Sequence, residues 1–168
     1  MEIEVVVEVP KGSRNKYEID PKTGVIRLDR FLSSALRYPA EYGFVEETLA
    51  DDGDPLDAMV LVDEATFPGC RIRCRPIGLF AMQDEKGDDV KILAVPAWDA
   101  RTDVSQVGDV LLNEIRHFFD VYKDLEEGKH TEVHGWHGHE VAEAEIARTR
   151  ERYARRSRVL RRLDLRHH

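Results

Sequence analysis

Seven residues hold the densest chemistry in the chain. Asp51-Asp52-Gly53-Asp54-Pro55-Leu56-Asp57 brings four carboxylates together, and its Gly and Pro dictate a rigid turn rather than a helix. Carboxylates this crowded repel one another unless a positive group lies among them. Hard divalent cations, Mg²⁺ or Mn²⁺, are the ions that all-oxygen ligand sets hold. The segment is not an EF-hand: the glycine of that loop is its sixth residue, a register that would make Thr48 the first ligand. Alone, it reads as a solvated acidic turn as readily as a metal site. A second acidic turn, Asp84, Glu85, Asp88 and Asp89 followed by Lys91, shifts the balance. Neither turn offers Cys or His, which disfavours zinc. Lys16, Arg30, Lys91 and Lys123, with Tyr38, Tyr42 and Tyr122, fall in or beside polar turns and strand ends. A metal that neutralises bridging oxygens, an Arg that grips bidentately and Tyr hydroxyls that donate to the remainder suit a phosphate substrate. Taken singly each is more ordinary, since Lys and Arg usually lie on the surface and Tyr half in the core.

Short strands must position these groups. The spacing predicts a strand over Ile3–Val9 that stops at Pro10, and a hairpin of Lys16–Asp20 with Val25–Asp29 around Pro21-Lys22-Thr23-Gly24. Ala58–Val62 is a short apolar strand. Arg71–Met82 is a long one, in which Pro76 points to an edge position or a bulge. Asp84–Asp89 turns the chain into a returning strand, Val90–Val95. Leu111, Leu112, Ile115, Phe118, Phe119 and Tyr122 have helical spacing, with Asp109 as N-cap and Gly128 beyond the end. A second helix begins near His139 with the stripe Ala142, Ile146, Tyr153 and Leu160. The first hundred residues read mainly as strand and the last sixty mainly as helix. That pattern implies an α+β fold in one domain, a small, partly open OB-like β-barrel flanked by helices.

In order and spacing the motifs resemble those of the soluble family I inorganic pyrophosphatases of the short bacterial type. The signature is Asp52-Gly53-Asp54-Pro55-Leu56-Asp57. Before it stand Val7-Glu8-Val9-Pro10, Asn15-Lys16-Tyr17-Glu18, Leu28-Asp29-Arg30-Phe31 and Tyr38-Pro39-Ala40-Glu41-Tyr42-Gly43. After it come Asp84 to Lys91, Val95-Pro96 and His117 to Glu126. The resemblance covers residues 3 to about 150 and departs past about residue 155. It implies hydrolysis of inorganic pyrophosphate to two phosphates, dependent on several Mg²⁺ per site with Mn²⁺ or Zn²⁺ as substitutes. Asp52, Asp57 and Asp89 match ligands of the tighter ion, and Asp57 is shared with a second. Asp84, Asp89 and Glu8 match positions that hold further ions, and Glu18 one bound through water. Lys16, Arg30, Tyr42, Tyr122 and Lys123 match the phosphate grip, with Tyr38 and Lys91 in support. Asp54 matches the general base, and Asp89 is the second choice. The resemblance also implies a homo-oligomer, most often a hexamer, and places the catalytic domain at 1–155 with an arginine-rich extension at 156–168.

Composition sets the remaining bounds. With 168 residues, 42% hydrophobic and 35% charged, the chain can bury one real core without staples. It has no apolar run near the ~20 residues of a membrane span. The acidic Met1–Glu8 segment does not resemble a secretory leader. Cys70 and Cys74, placed in one strand, would be ~13 Å apart at ~3.3 Å per residue, too far for a disulfide. Reduced thiols suit the cytoplasm. From Arg148 onward nine Arg face only Glu151 and Asp164, a net of +7 that leaves −15 on residues 1–147 of a chain at −8. An acidic body excludes a nucleic-acid-binding barrel, which would need exposed aromatics along a basic groove. A phosphohydrolase for a larger nucleotide lacks a Walker A loop and a base-reading segment. The arginine stretch reads as a frayed helix end or as a contact with an acidic neighbour such as another subunit. The histidines 130, 134, 137 and 139 around Trp136 read as a polar stretch before the last helix, or as a transition-metal or proton-sensitive contact. His167 and His168 carry no weight in the fold.

Overall fold

Four valines in five positions begin the architecture. β1 (Ile3–Val9) buries Ile3, Val5 and Val7 on one side and Val6 on the other, so it must be covered on both faces. The computed structural model describes residues 1–165; Arg166, His167 and His168, and what the sequence suggested for them, lie outside the described residues. β1 pairs antiparallel with β4 (Glu41–Val45), and β4 with β5 (Asp57–Val60). Between them in sequence β2 (Asn15–Ile19) and β3 (Ile26–Phe31) form a separate hairpin, as the turn residues predict. β6 (Arg71–Asp84) is the longest strand. Gly87–Asp88, β7, folds back onto its end, and β8 (Lys91–Pro96) lies antiparallel to it and parallel to β5. β6 returns to β1 over Ile3↔Cys74 to Val6↔Arg71, which closes the ring β1-β4-β5-β8-β6. The result is the expected partly open, OB-like barrel in a single α+β domain.

At one point the ring is very tight. Gly43 of β4 lies opposite Val7, and a Cβ built there would be 1.9 Å from the Val6 carbonyl oxygen. Only glycine permits this approach.

β8 is buried along its whole length: Leu93 and Val95 serve one core, Ile92 and Ala94 the other. The first core lies under α1 (Asp109–Val121), which contributes Ile115, Phe118 and Phe119. The second includes Ala142 and Ile146 of α2 (His139–Asp164).

The structure corrects two expectations, chooses between the two readings of Pro76 and adds a strand. Of the two readings of Pro76 the structure takes the bulge: β6 pairs with β1, β7, β8 and β9, and a bulge between Pro76 and Gly78 interrupts the ladder where Pro lacks its N–H. Asp109 is not the N-cap of α1; Gly108 is, with Asp109 in the first turn. The last sixty residues are mainly helix, as expected, but they also hold a strand that their spacing does not announce: β9 (Thr131–Gly138) pairs with β6 from Gly78 to Asp84. That strand carries most of the histidine stretch. His134 and His137 are exposed on it, while His139 Nδ1 lies 2.8 Å from Asp103 Oδ1. Cys70 precedes β6 rather than sharing it with Cys74, and both thiols are free.

Candidate active site

The parallel pairing of β5 with β8 sets their first residues side by side, Ala58 opposite Ile92. Asp57 and Lys91 therefore enter the same cleft, and Asp89 joins them from the preceding turn. Lys91 Nζ is 3.1 Å from Asp57 Oδ2, 3.0 Å from Asp89 Oδ1 and 2.9 Å from the Tyr42 hydroxyl. It also lies 5.2 Å from the ring centroids of Tyr42 and Phe119. With only 1% of its side chain exposed, the ammonium keeps its proton. Burial opposes the charge, but Tyr42, Asp57 and Asp89 outweigh it and raise the pKa well above that of an ordinary Lys. Asp89 is raised as well, by burial first, with Lys91 opposing and Asp57 reinforcing.

The acidic turn between β4 and β5 is held by its own backbone. Asp52 Oδ1 accepts from the Asp54 N–H at 3.0 Å, and Gly53 takes φ 89°, which its lack of a Cβ allows. Beneath it, buried Thr48 donates its hydroxyl to the Val45 carbonyl and accepts the Leu56 N–H. Asp51, at the start of the turn, is gripped by Arg148 and Arg152 of α2. Asp54 is exposed, yet its pKa is raised by partial burial and then by the charges of Asp52 and Asp57.

Glu8, near the end of β1, takes the Ile19 N–H on Oε2 at 2.9 Å and so fastens the β2–β3 hairpin to the barrel. Desolvation pushes its carboxyl up to about 7, against the Ile19 hydrogen bond. The hairpin brings Lys16 opposite Arg30. Lys16 Nζ is 3.1 Å from both Glu18 and Asp29. Arg30 is paired with Glu126, beyond α1. On the far wall Lys123 Nζ lies 3.3 Å from Asp84 Oδ2. Burial would raise the Asp84 carboxyl, but the Lys86 N–H and the Lys123 charge outweigh it and lower the pKa. Tyr38 and Tyr122 are buried against Phe118, with ring centroids 4.8 and 5.3 Å from it.

All fourteen residues singled out from the sequence line this one cleft of about 670 Å³: Glu8, Lys16, Glu18, Arg30, Tyr38, Tyr42, Asp52, Asp54, Asp57, Asp84, Asp89, Lys91, Tyr122 and Lys123. Among the described residues no three carboxylate, imidazole or thiol side chains converge on one point; the nearest neighbours of Asp57, Asp84 and Asp89 are lysines. The donor set is nevertheless all oxygen and suits a hard divalent cation. Ten carboxylates line the cleft against six Lys and Arg, so a polyanion would be repelled without added cations. Sequence reasoning gave no role to Asp29 and Glu126, which hold Lys16 and Arg30. Both lie inside motif blocks, but neither pairing is visible in residue spacing.

The family model described as inorganic pyrophosphatase matches residues 5–154. The chain belongs to the inorganic pyrophosphatase family. It is similar to the inorganic pyrophosphatase of Streptomyces coelicolor, 57% identical over 157 residues that cover 91% of this chain and 96% of that one. That of Corynebacterium efficiens is 51% identical over 91% and 99% of the two chains. Among solved structures, the inorganic pyrophosphatase of Thermus thermophilus superposes with a TM-score of 0.88 at 44% identity, covering 91% of both chains. No helix among the described residues is long and apolar enough to cross a membrane.

Proposed function

We propose that this chain hydrolyses inorganic pyrophosphate to two phosphates with Mg²⁺ as the working metal. The observation that carries the reading is the cleft itself. Six carboxylates suited to a hard cation, Glu8, Asp52, Asp54, Asp57, Asp84 and Asp89, line the same space as five cationic or phenolic groups suited to phosphate. Asp52, Asp57 and Asp89 would hold the tighter ion, Asp84, Asp89 and Glu8 would help to hold those that arrive with substrate, and Glu18 would assist. Bound metal supplies acidification of the attacking water and neutralisation of phosphate charge. Asp54 accepts the proton of that water, with Asp89 as the second choice. Lys16, Arg30, Tyr42, Tyr122 and Lys123 grip the phosphates and stabilise charge on the leaving group. Lys91 and Tyr38 hold Tyr42 and the carboxylates in place. Oxygen ligands admit Mn²⁺ as a substitute, and Zn²⁺ less readily.

The catalytic domain is assigned to residues 1–155 and the extension to 156–168. The enzyme works in the cytoplasm as a homo-oligomer, in hexameric form, and its partners are pyrophosphate and its own copies rather than nucleic acid or membrane. Phosphate release from pyrophosphate, measured with Mg²⁺ and with chelator, tests the activity. Asp57→Ala should lose turnover by about a hundredfold or more while its circular dichroism stays unchanged, because a shared metal ligand is gone. Near-parental turnover in that variant at saturating Mg²⁺ would remove Asp57 from the ligand set.

A further inference from the structure

Helix α2 outruns the body it packs on. Its inner face, Ala142, Ile146 and Thr149, is buried, and the Thr149 carbonyl accepts the Leu49 N–H at 3.0 Å. At 100° per residue the same face continues through Tyr153, Leu160 and Leu163, with Val159 beside it. There it is uncovered: these four side chains are 39, 52, 47 and 56% exposed. The opposite side of this arm carries Arg155, Arg158, Arg161 and Arg162, while Arg156 lies within the apolar stripe, between Leu160 and Leu163 around the helix. Among the described residues only Arg155 of these five has an acidic partner, Glu151. The family match ends at residue 154, before the arm.

We infer that the arm is an interaction surface for a second copy of this chain, its apolar stripe and arginines laid on the acidic body of the other molecule. Charge selects that occupant. The arm carries five described Arg against Asp164, while residues 1–147 carry −15. Two arms laid against each other would oppose like charges, whereas an arm on a body joins opposite ones. A nucleic acid or an anionic membrane would be drawn to the arm but repelled by the acidic body to which it is tethered. A helix that only bound phosphates would also have no use for an apolar stripe in register with its own buried face. The contact adds to whatever surfaces build the proposed homo-oligomer, and to that extent rests on that reading.

Sedimentation over a concentration series, at low and at high salt, tests it with the full chain, a chain ending at Ala154, a triple variant Arg158→Glu, Arg161→Glu, Arg162→Glu, and Leu160→Ser with Leu163→Ser. The arm buries little within its own chain, so all four should fold, which circular dichroism checks. At low salt the three altered proteins should need about tenfold higher concentration to assemble, a loss of about 1.4 kcal/mol. High salt should narrow the gap for the charge variant, because exposed attraction is screened over about 8 Å at physiological ionic strength. An oligomer unchanged by truncation overturns the arm and leaves the homo-oligomer standing. A full chain that is monomeric throughout overturns both. Oligonucleotide or anionic-vesicle binding that disappears with the arm while self-assembly does not would also overturn the inference.

Discussion

Lys91→Met takes the one fully buried cation out of the carboxylate cleft and keeps most of its apolar stem. Its ammonium is within 3.1 Å of Asp57 and Asp89, and at an effective dielectric near 20 each such attraction is of order 4 kcal/mol before desolvation. Breaking a buried pair costs about 3–5 kcal/mol, because the partner charge is left uncompensated. Asp57 is 32% exposed and can recover water, so about 3 kcal/mol is the figure for the metal-free protein. For a domain of this size that lowers Tm by about 6–12 °C. Mg²⁺ gives the stranded carboxylates a cation again. The gap between variant and parent should therefore shrink to about 1 kcal/mol when chelator is replaced by millimolar Mg²⁺. Urea denaturation followed by tryptophan fluorescence reads both conditions. A variant as stable as the parent in chelator, or a gap that Mg²⁺ leaves unchanged, would refute the view that Lys91 substitutes electrostatically for metal.

Glu8 gives a pH dependence of known sign. Its folded pKa of about 7 lies above the ordinary 4.5, so its contribution to metal-free stability is complete below about pH 4.5 and is lost as pH climbs through 7. The loss is at most about 3 kcal/mol. Urea midpoints in chelator should fall across that window, and Glu8→Gln should flatten the fall; an unflattened slope assigns it elsewhere. Gly43→Ala should cost more than about 3 kcal/mol, because its Cβ would meet backbone rather than a movable side chain. A soluble Gly43→Ala protein with the parental Tm would show that β1 and β4 can separate without penalty.

The sequence announced what depends on local density of residue type and concealed what depends on distance along the chain. The two acidic turns were legible because carboxylates that crowd together repel unless a cation joins them, and the β2–β3 hairpin because its turn residues are distinctive. β4 escaped notice: Glu41 and Gly43 break its apolar alternation, and both are buried for reasons that lie in neighbouring strands. β9 was hidden by its histidines, although Val133 and Trp136 pack on the core from it. Pro76 left an edge and a bulge open, and only the pairing partners decide for the bulge, which lets it occupy a strand paired on both sides. In the cleft, the pairing of Arg30 with Glu126 joins positions 96 residues apart, which no motif spacing records.

The ring of strands also orders events in time. β1 is made first, yet its pairing with β6 must wait for Arg71–Cys74, and β5 cannot gain its parallel neighbour until Lys91–Pro96 has been made. Contacts this distant in sequence form late and slowly, since a long loop must close before they are rewarded. A nascent chain that has reached β5 already carries Glu8 and the whole Asp51–Asp57 turn but neither Lys91 nor Lys123. Asp57 thus comes off the ribosome well ahead of Lys91, the cation that pairs with it, and the cleft is among the last parts of the molecule to exist. A divalent ion that needs the finished cleft then meets the protein after its folding barrier, and so should slow unfolding while leaving the folding rate nearly unchanged.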